Sequence, residues 1–66
     1  FLVAEHTAVE LKVSGSTTTV LQQLLRYAEF ESIESVLLIT TRSLHVQLPR
    51  VLIGKPLDVL LVRGFG

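Results

Sequence analysis

The stretch Thr19 to Phe30 reads Thr-Val-Leu-Gln-Gln-Leu-Leu-Arg-Tyr-Ala-Glu-Phe, and it decides the fold. Its apolar residues recur at the spacing of one helix face: Val20, Leu21, Leu24, Leu25 and Ala28. At about 100° per residue these side chains fall within a stripe of roughly 140°, with polar residues opposite. One amphipathic helix must bury its single apolar face, so the pattern predicts a sheet built from the rest of the chain.

The residues before this helix, Ser14-Gly-Ser-Thr-Thr-Thr19, form a small polar run that predicts a loop. Thr19 and Gln22 fit a capping box, in which their side chains satisfy free backbone N–H groups at the helix start. Such a start can also hold an anion. A phosphate-binding loop needs a second glycine followed by lysine, and both are absent, so we interpret this segment as an ordinary capped loop.

Two strands are predicted before the helix. Phe1–Glu5 is a short apolar run, and His6 and Thr7 follow as a turn. Residues 9–13 alternate strictly, with valine or leucine at 9, 11 and 13 and charged residues at 10 and 12. This alternation predicts a half-buried strand whose apolar side chains face the core.

Two or three strands are predicted after the helix, which is expected to fray by Glu31 or Ser32. Val36–Ile39 is continuously apolar, as expected for a strand buried on both faces or lying in the sheet centre. The remaining predictions are a polar turn over 40–43, a strand over 44–48 (or one long bent strand with 36–39), a short strand or helical turn over 51–53, a turn over 54–57 and a final strand over 58–63. The whole chain, 1–66, is predicted to be one α+β domain, a small β-grasp-like (ββαββ) sheet packed on one amphipathic helix.

Composition excludes several classes of function. The six positively charged and six negatively charged residues are scattered, whereas a nucleic-acid surface needs a basic patch. The longest apolar runs are far too short for a membrane span. There is no cysteine and no signal-peptide pattern, which predicts a cytoplasmic protein. Because apolar residues make up 48% of so short a chain, a protein partner or a homo-oligomer is expected.

No arrangement of residues predicts catalysis, a cofactor or a metal site. His6 and His45 are isolated from each other, and a metal usually needs three or four converging ligands. None of the serines stands in a nucleophile motif. Glu29, Glu31 and Glu34 are interpreted as a solvated loop rather than a carboxylate pair or a cation site. We therefore expect a non-enzymatic protein.

The order of elements resembles the ubiquitin-like β-grasp fold, and the closest similarity in layout is to the small sulfur-carrier proteins. Those are the small subunit of molybdopterin synthase and the thiamine sulfur carrier. The segments that carry the resemblance are Thr19-Val20 with Leu24-Leu25, then Val36–Ile39, then Leu57–Leu61 running into a glycine-containing end. The family pattern has glycine where this chain has Leu57 and, at the penultimate position, Phe65.

The resemblance implies two alternatives. In sulfur carriers the C-terminal glycine is adenylated and then thiolated by an activating enzyme, which would make Gly66 the reactive residue. Other β-grasp modules bind protein partners through an exposed sheet face or an unpaired edge strand. The leading hypothesis is such an interaction or assembly module, acting through the outer surface of the sheet or through a tail contact of Gly64, Phe65 and Gly66. The alternative is a sulfur carrier activated at its C-terminal glycine.

Overall fold

The computed structural model describes residues 1–63 as a small α+β domain, with one helix packed on a five-stranded mixed sheet. The elements are β1 (Leu2–Ala4), β2 (Thr7–Lys12), α1 (Thr17–Ala28), β3 (Ser35–Thr40), a 3-10 helix (Ser43–Gln47), β4 (Val51–Leu52) and β5 (Lys55–Leu61). This architecture confirms the predicted fold class and is consistent with a β-grasp-like arrangement.

The sheet has the strand order β1-β2-β3-β5-β4. Its three inner strands run parallel, while β1 and β4 pair antiparallel with their neighbours at the two edges. The apolar run over 36–39 lies in β3 at the sheet centre, as predicted. Val36 and Leu38 on β3 are fully buried beneath the helix together with Leu57 of β5. The core therefore lies on one side of the sheet.

The helix begins three residues earlier than the capping-box pattern predicts. Ser16, not Thr19, is its N-cap, and the Ser16 hydroxyl accepts a hydrogen bond from the Thr19 backbone N–H at 3.1 Å. At the other end the Lys55 ammonium donates to the carbonyl oxygens of Ala28 and Phe30, at 2.6 and 2.9 Å. A cation at this position satisfies free carbonyls and complements the helix dipole, so the first residue of β5 ends the helix.

The predicted orientation of β2 is wrong. Ala8 and Glu10 are buried on the helix side, whereas Leu11 is 59% exposed and Val13 is 64% exposed. Ala8 lets the helix approach closely because it is small, and Glu10 is accommodated by polar partners beside the helix. The alternation of residues 9–13 is present, but its apolar phase faces away from the core.

The segment predicted as a strand over 44–48 is instead a 3-10 helix, Ser43–Gln47. His45 is its buried side chain, and Leu48, which follows its last residue, is buried as well. Their separation of three residues equals one turn of a 3-10 helix, and it also places them on opposite phases of a strand. A strand would direct His45 and Leu48 to opposite faces, whereas one turn of 3-10 helix allows both to be buried in the crossover from β3 to the parallel β5.

Two tight turns also differ from their predicted positions. The β1–β2 turn is at Glu5 and His6, one residue early, with Glu5 at φ 57°. The β4–β5 turn consists of Ile53 and Gly54, so residues 55–57 belong to the final strand rather than to a turn. Both Ile53 and Gly54 have positive φ, at 51° and 76°, as a type I′ hairpin turn requires. An Ile-Gly pair is not the usual sequence signal for that turn.

Candidate functional site

The side of the sheet opposite α1 carries two apolar rows, which we call the open face. Cross-strand pairing places Leu2, Val9 and Leu37 side by side in the first row. Leu11, Ile39 and Leu60 form the second row, two residues further along the strands. The rows lie about 7 Å apart, and the first spans about 14 Å from β1 to β5. Apolar side chains thus form a continuous surface that no described helix covers.

Exposure is greatest at the ends of these rows. Leu2, Leu11 and Leu60 are 61%, 59% and 52% exposed, while the residues between them are half-buried by their neighbours. Isolated exposed leucines are normal on protein surfaces, but contiguous apolar patches mark interaction sites. The open face is such a contiguous apolar patch.

An open depression of about 430 Å³ lies at the β1 end of this face. Its lining is mostly apolar, with one carboxylate: Phe1, Leu2, Val9, Glu10, Leu11 and Ile39. It forms because β1 pairs with β2 only as far as Val9, so Leu11 projects beyond the end of the neighbouring strand. The depression gives the apolar surface a shape into which a partner side chain can insert.

One charged residue completes the first row. Asp58 on β5 is the cross-strand neighbour of Leu37, and its side chain is exposed. In the described part of the chain no salt bridge joins this carboxylate to a cation. The two rows are therefore apolar across β1, β2 and β3, and the first ends in a carboxylate on β5.

A buried polar cluster lies on the other side of β2. The Tyr27 hydroxyl donates a hydrogen bond to Glu10 Oε1 at 3.1 Å, and Lys12 Nζ lies 3.0 Å from Glu10 Oε2. The Glu10 side chain is only 8% exposed, so both of its oxygens need partners. Burial, with the hydrogen bond to Glu10 as a second cause, raises the pKa of Tyr27 above 10.0. Tyrosine and glutamate stabilise each other here, and Glu10 also borders the open depression at the β1 end of the sheet.

Alkaline pH is expected to destabilise the fold through Tyr27. The folded state holds the neutral phenol, so its contribution to the free energy of unfolding is complete below pH 10 and is lost as the pH rises through the raised pKa. Tyr27 is the only tyrosine and there is no tryptophan. Tyrosinate absorbance therefore reports this group alone, and its midpoint should lie above 10 in the folded protein and return to about 10 in concentrated urea. Glu10→Gln should lower the folded midpoint partway, because burial remains. A folded midpoint at or below the urea value would contradict this role.

His45 is a structural residue. It is fully buried, and its Nε2 lies 2.9 Å from the Gly15 carbonyl oxygen, which can only accept a hydrogen bond. Nε2 is therefore the donor, and Nδ1 accepts from the Thr40 hydroxyl at 2.6 Å. The imidazole joins the loop before α1 to the end of β3, with both nitrogens satisfied. Sequence reasoning placed it on the polar side of a strand and missed this role.

The other candidates lie apart from one another. His6 is in the β1–β2 turn, where Nδ1 lies 3.2 Å from the Ser32 carbonyl oxygen and 3.6 Å from Glu34 Oε2. Residues 1–63 contain no group of three or more histidine, cysteine or acidic side chains placed to hold a metal ion. Over the same residues, no helix has the length and apolar character needed to cross a membrane.

The predicted tail contact of Gly64, Phe65 and Gly66 lies outside the described residues. The sulfur-carrier alternative, which depends on Gly66, therefore stays a prediction. Its test is incubation with ATP and a cognate activating enzyme, followed by a search for a C-terminal adenylate or thiocarboxylate by mass.

The chain matches no protein-family model, no curated protein and no solved structure. Its candidate site therefore follows from geometry alone. The signal for the open face was present in the sequence, since the apolar residues at 9, 11 and 13 are those of the exposed phase. The sequence did not show that these residues point away from the helix.

Proposed function

We propose that this chain is a non-enzymatic interaction or assembly module that binds another protein through the open face. The observation that supports the proposal most is the exposure of Leu2, Leu11 and Leu60 at the ends of two continuous apolar rows. Covering a leucine that is half exposed stabilises a complex by about 1 kcal/mol. These three residues alone thus offer about 3 kcal/mol to a partner.

The dimensions of the face support the same proposal. Six residues of β2 or β3 extend about 20 Å, and five strands extend about 19 Å across the sheet. This outline of at most roughly 400 Å² contains the two apolar rows, and contiguous apolar patches on monomers are often functional. Complete coverage of its corrugated surface approaches what one partner contributes to a small specific interface.

Site-specific photo-crosslinking tests the proposal. A benzophenone amino acid replaces Leu60 on the open face or, as a control, Phe30, which is 57% exposed after the end of α1. We expect defined protein adducts from position 60 in an extract of the source cells or in the concentrated protein, and far fewer from position 30. Leu11→Gln should suppress the adducts, because it removes apolar area from the same row as position 60.

Sedimentation over a concentration series completes the test. Adducts between copies of the chain, accompanied by concentration-dependent sedimentation, indicate assembly, and adducts with other proteins indicate a partner. A monomer at all concentrations that gives no adduct above the Phe30 control would refute the proposed function.

A further inference from the structure

Asp58 distinguishes between the possible occupants of the open face, if the face is the binding surface proposed above. The carboxylate ends the row Leu2, Val9, Leu37 and is the only charged side chain in the two rows. A partner that covers the row must remove part of the water around this charge. Such desolvation is unfavourable unless the partner supplies a compensating cation or hydrogen-bond donors.

A second copy of the chain does not supply that cation. Two sheets that stack face to face in a symmetric dimer present the same residues to each other. A two-fold axis along the strands reverses the row and places Asp58 over the Leu2 end of the mate. An axis across the strands places it over Leu60 or over the other Asp58. In both orientations the carboxylate meets an apolar side chain or a like charge, and the ammonium of Phe1 near the Leu2 end already lies 3.7 Å from Glu10 Oε1.

A helix is the form of partner that fits the face. The inner strands β2, β3 and β5 pair with neighbours on both sides, so the face offers side chains rather than free backbone groups. Strand addition needs a sheet edge, whereas an amphipathic helix needs only an apolar surface. The two rows, about 7 Å apart, match the apolar stripe of one helix, whose full diameter is about 10 Å.

We infer that the open face binds an amphipathic helix of a different protein, with a lysine or arginine beside its apolar stripe that pairs with Asp58. The apolar rows provide affinity, and the carboxylate at the β5 margin sets the direction in which the helix lies. Charge pairs at the margin of an interface act in this way on orientation and specificity.

Selection from a displayed library of amphipathic helical peptides tests the inference. The apolar stripe is fixed and the flanking positions are randomised, with the wild-type protein and Asp58→Lys as separate targets. Peptides that also bind the Leu11→Gln/Leu60→Gln double variant are removed. We expect lysine or arginine at one flanking position with the wild type and glutamate or aspartate with Asp58→Lys. Matched peptides should differ in affinity by roughly fivefold on each target, in opposite directions.

Glu29→Lys is the matched control, because it makes the same charge change at an exposed position that follows α1. It should select the same basic peptides as the wild type. Selected peptides without any charge preference, or the same preference on Asp58→Lys, would overturn the inference and leave the proposed function standing. A failure to select any peptide would also overturn it. If the protein then sediments as a dimer that the double variant abolishes, the occupant is a second copy. If it sediments as a monomer and position 60 gives no adduct above the Phe30 control, the proposed function fails as well.

Discussion

Replacing His45 with alanine is expected to lower the free energy of unfolding by about 3 kcal/mol or more. The substitution leaves the Gly15 carbonyl without its donor and the Thr40 hydroxyl without its acceptor, and each unsatisfied buried group costs about 1–3 kcal/mol. It also removes a fully buried side chain. A domain of this length has a total stability of roughly 3–10 kcal/mol, so much of the protein should be unfolded. Urea unfolding followed by circular dichroism measures the change.

His6→Ala is the matched control for that experiment. The His6 side chain is 65% exposed, and its contacts are to a loop carbonyl and to an exposed carboxylate. Exposed pairs of this kind contribute about 1 kcal/mol or less. Equal and small effects of the two substitutions would show that His45 does not join the loop before α1 to β3.

The sequence was sufficient for the fold class because the helix signal was strong and local. The spacing of Val20, Leu24 and Ala28 defined one apolar stripe, and these residues are buried against the sheet. The run over 36–39 was recognisable as the central strand for a similar reason, since continuous apolar character is typical of strands in the middle of a sheet. Patterns of this type do not depend on knowing the partner element.

The two ends of the helix and the positions of the turns could not be predicted, because they depend on interactions that the local sequence does not show. Ser16, Thr17 and Thr19 are all acceptable near a helix start, and only the geometry shows which of them caps. Lys55 ends the helix from 27 residues away, so no local sequence window contains that signal. The 3-10 helix around His45 had an alternating pattern that fitted a strand equally well.

The candidate site was missed for a different physical reason. Binary patterning assumes that the more apolar phase of a strand faces the core. In β2 the core side carries Ala8, which makes room for the helix, and Glu10, whose charge is satisfied by Tyr27 and Lys12. The apolar residues of the strand, Val9 and Leu11, therefore point to the opposite side of the sheet. A surface that another protein covers has the composition of a core, and sequence alone does not separate the two.

The central claim is therefore that β2 directs Ala8 towards the helix and Leu11 towards the open face. The most direct measurement is the free energy of unfolding of Ala8→Glu and Leu11→Glu, which introduce the same side chain on opposite sides of one strand. We expect Ala8→Glu to cost at least about 3 kcal/mol, because it places a carboxylate at a fully buried position without a partner. Leu11→Glu should cost about 1 kcal/mol or less, since that position is 59% exposed. The reverse order, with Leu11→Glu the more damaging, would place Leu11 in the core and contradict the account.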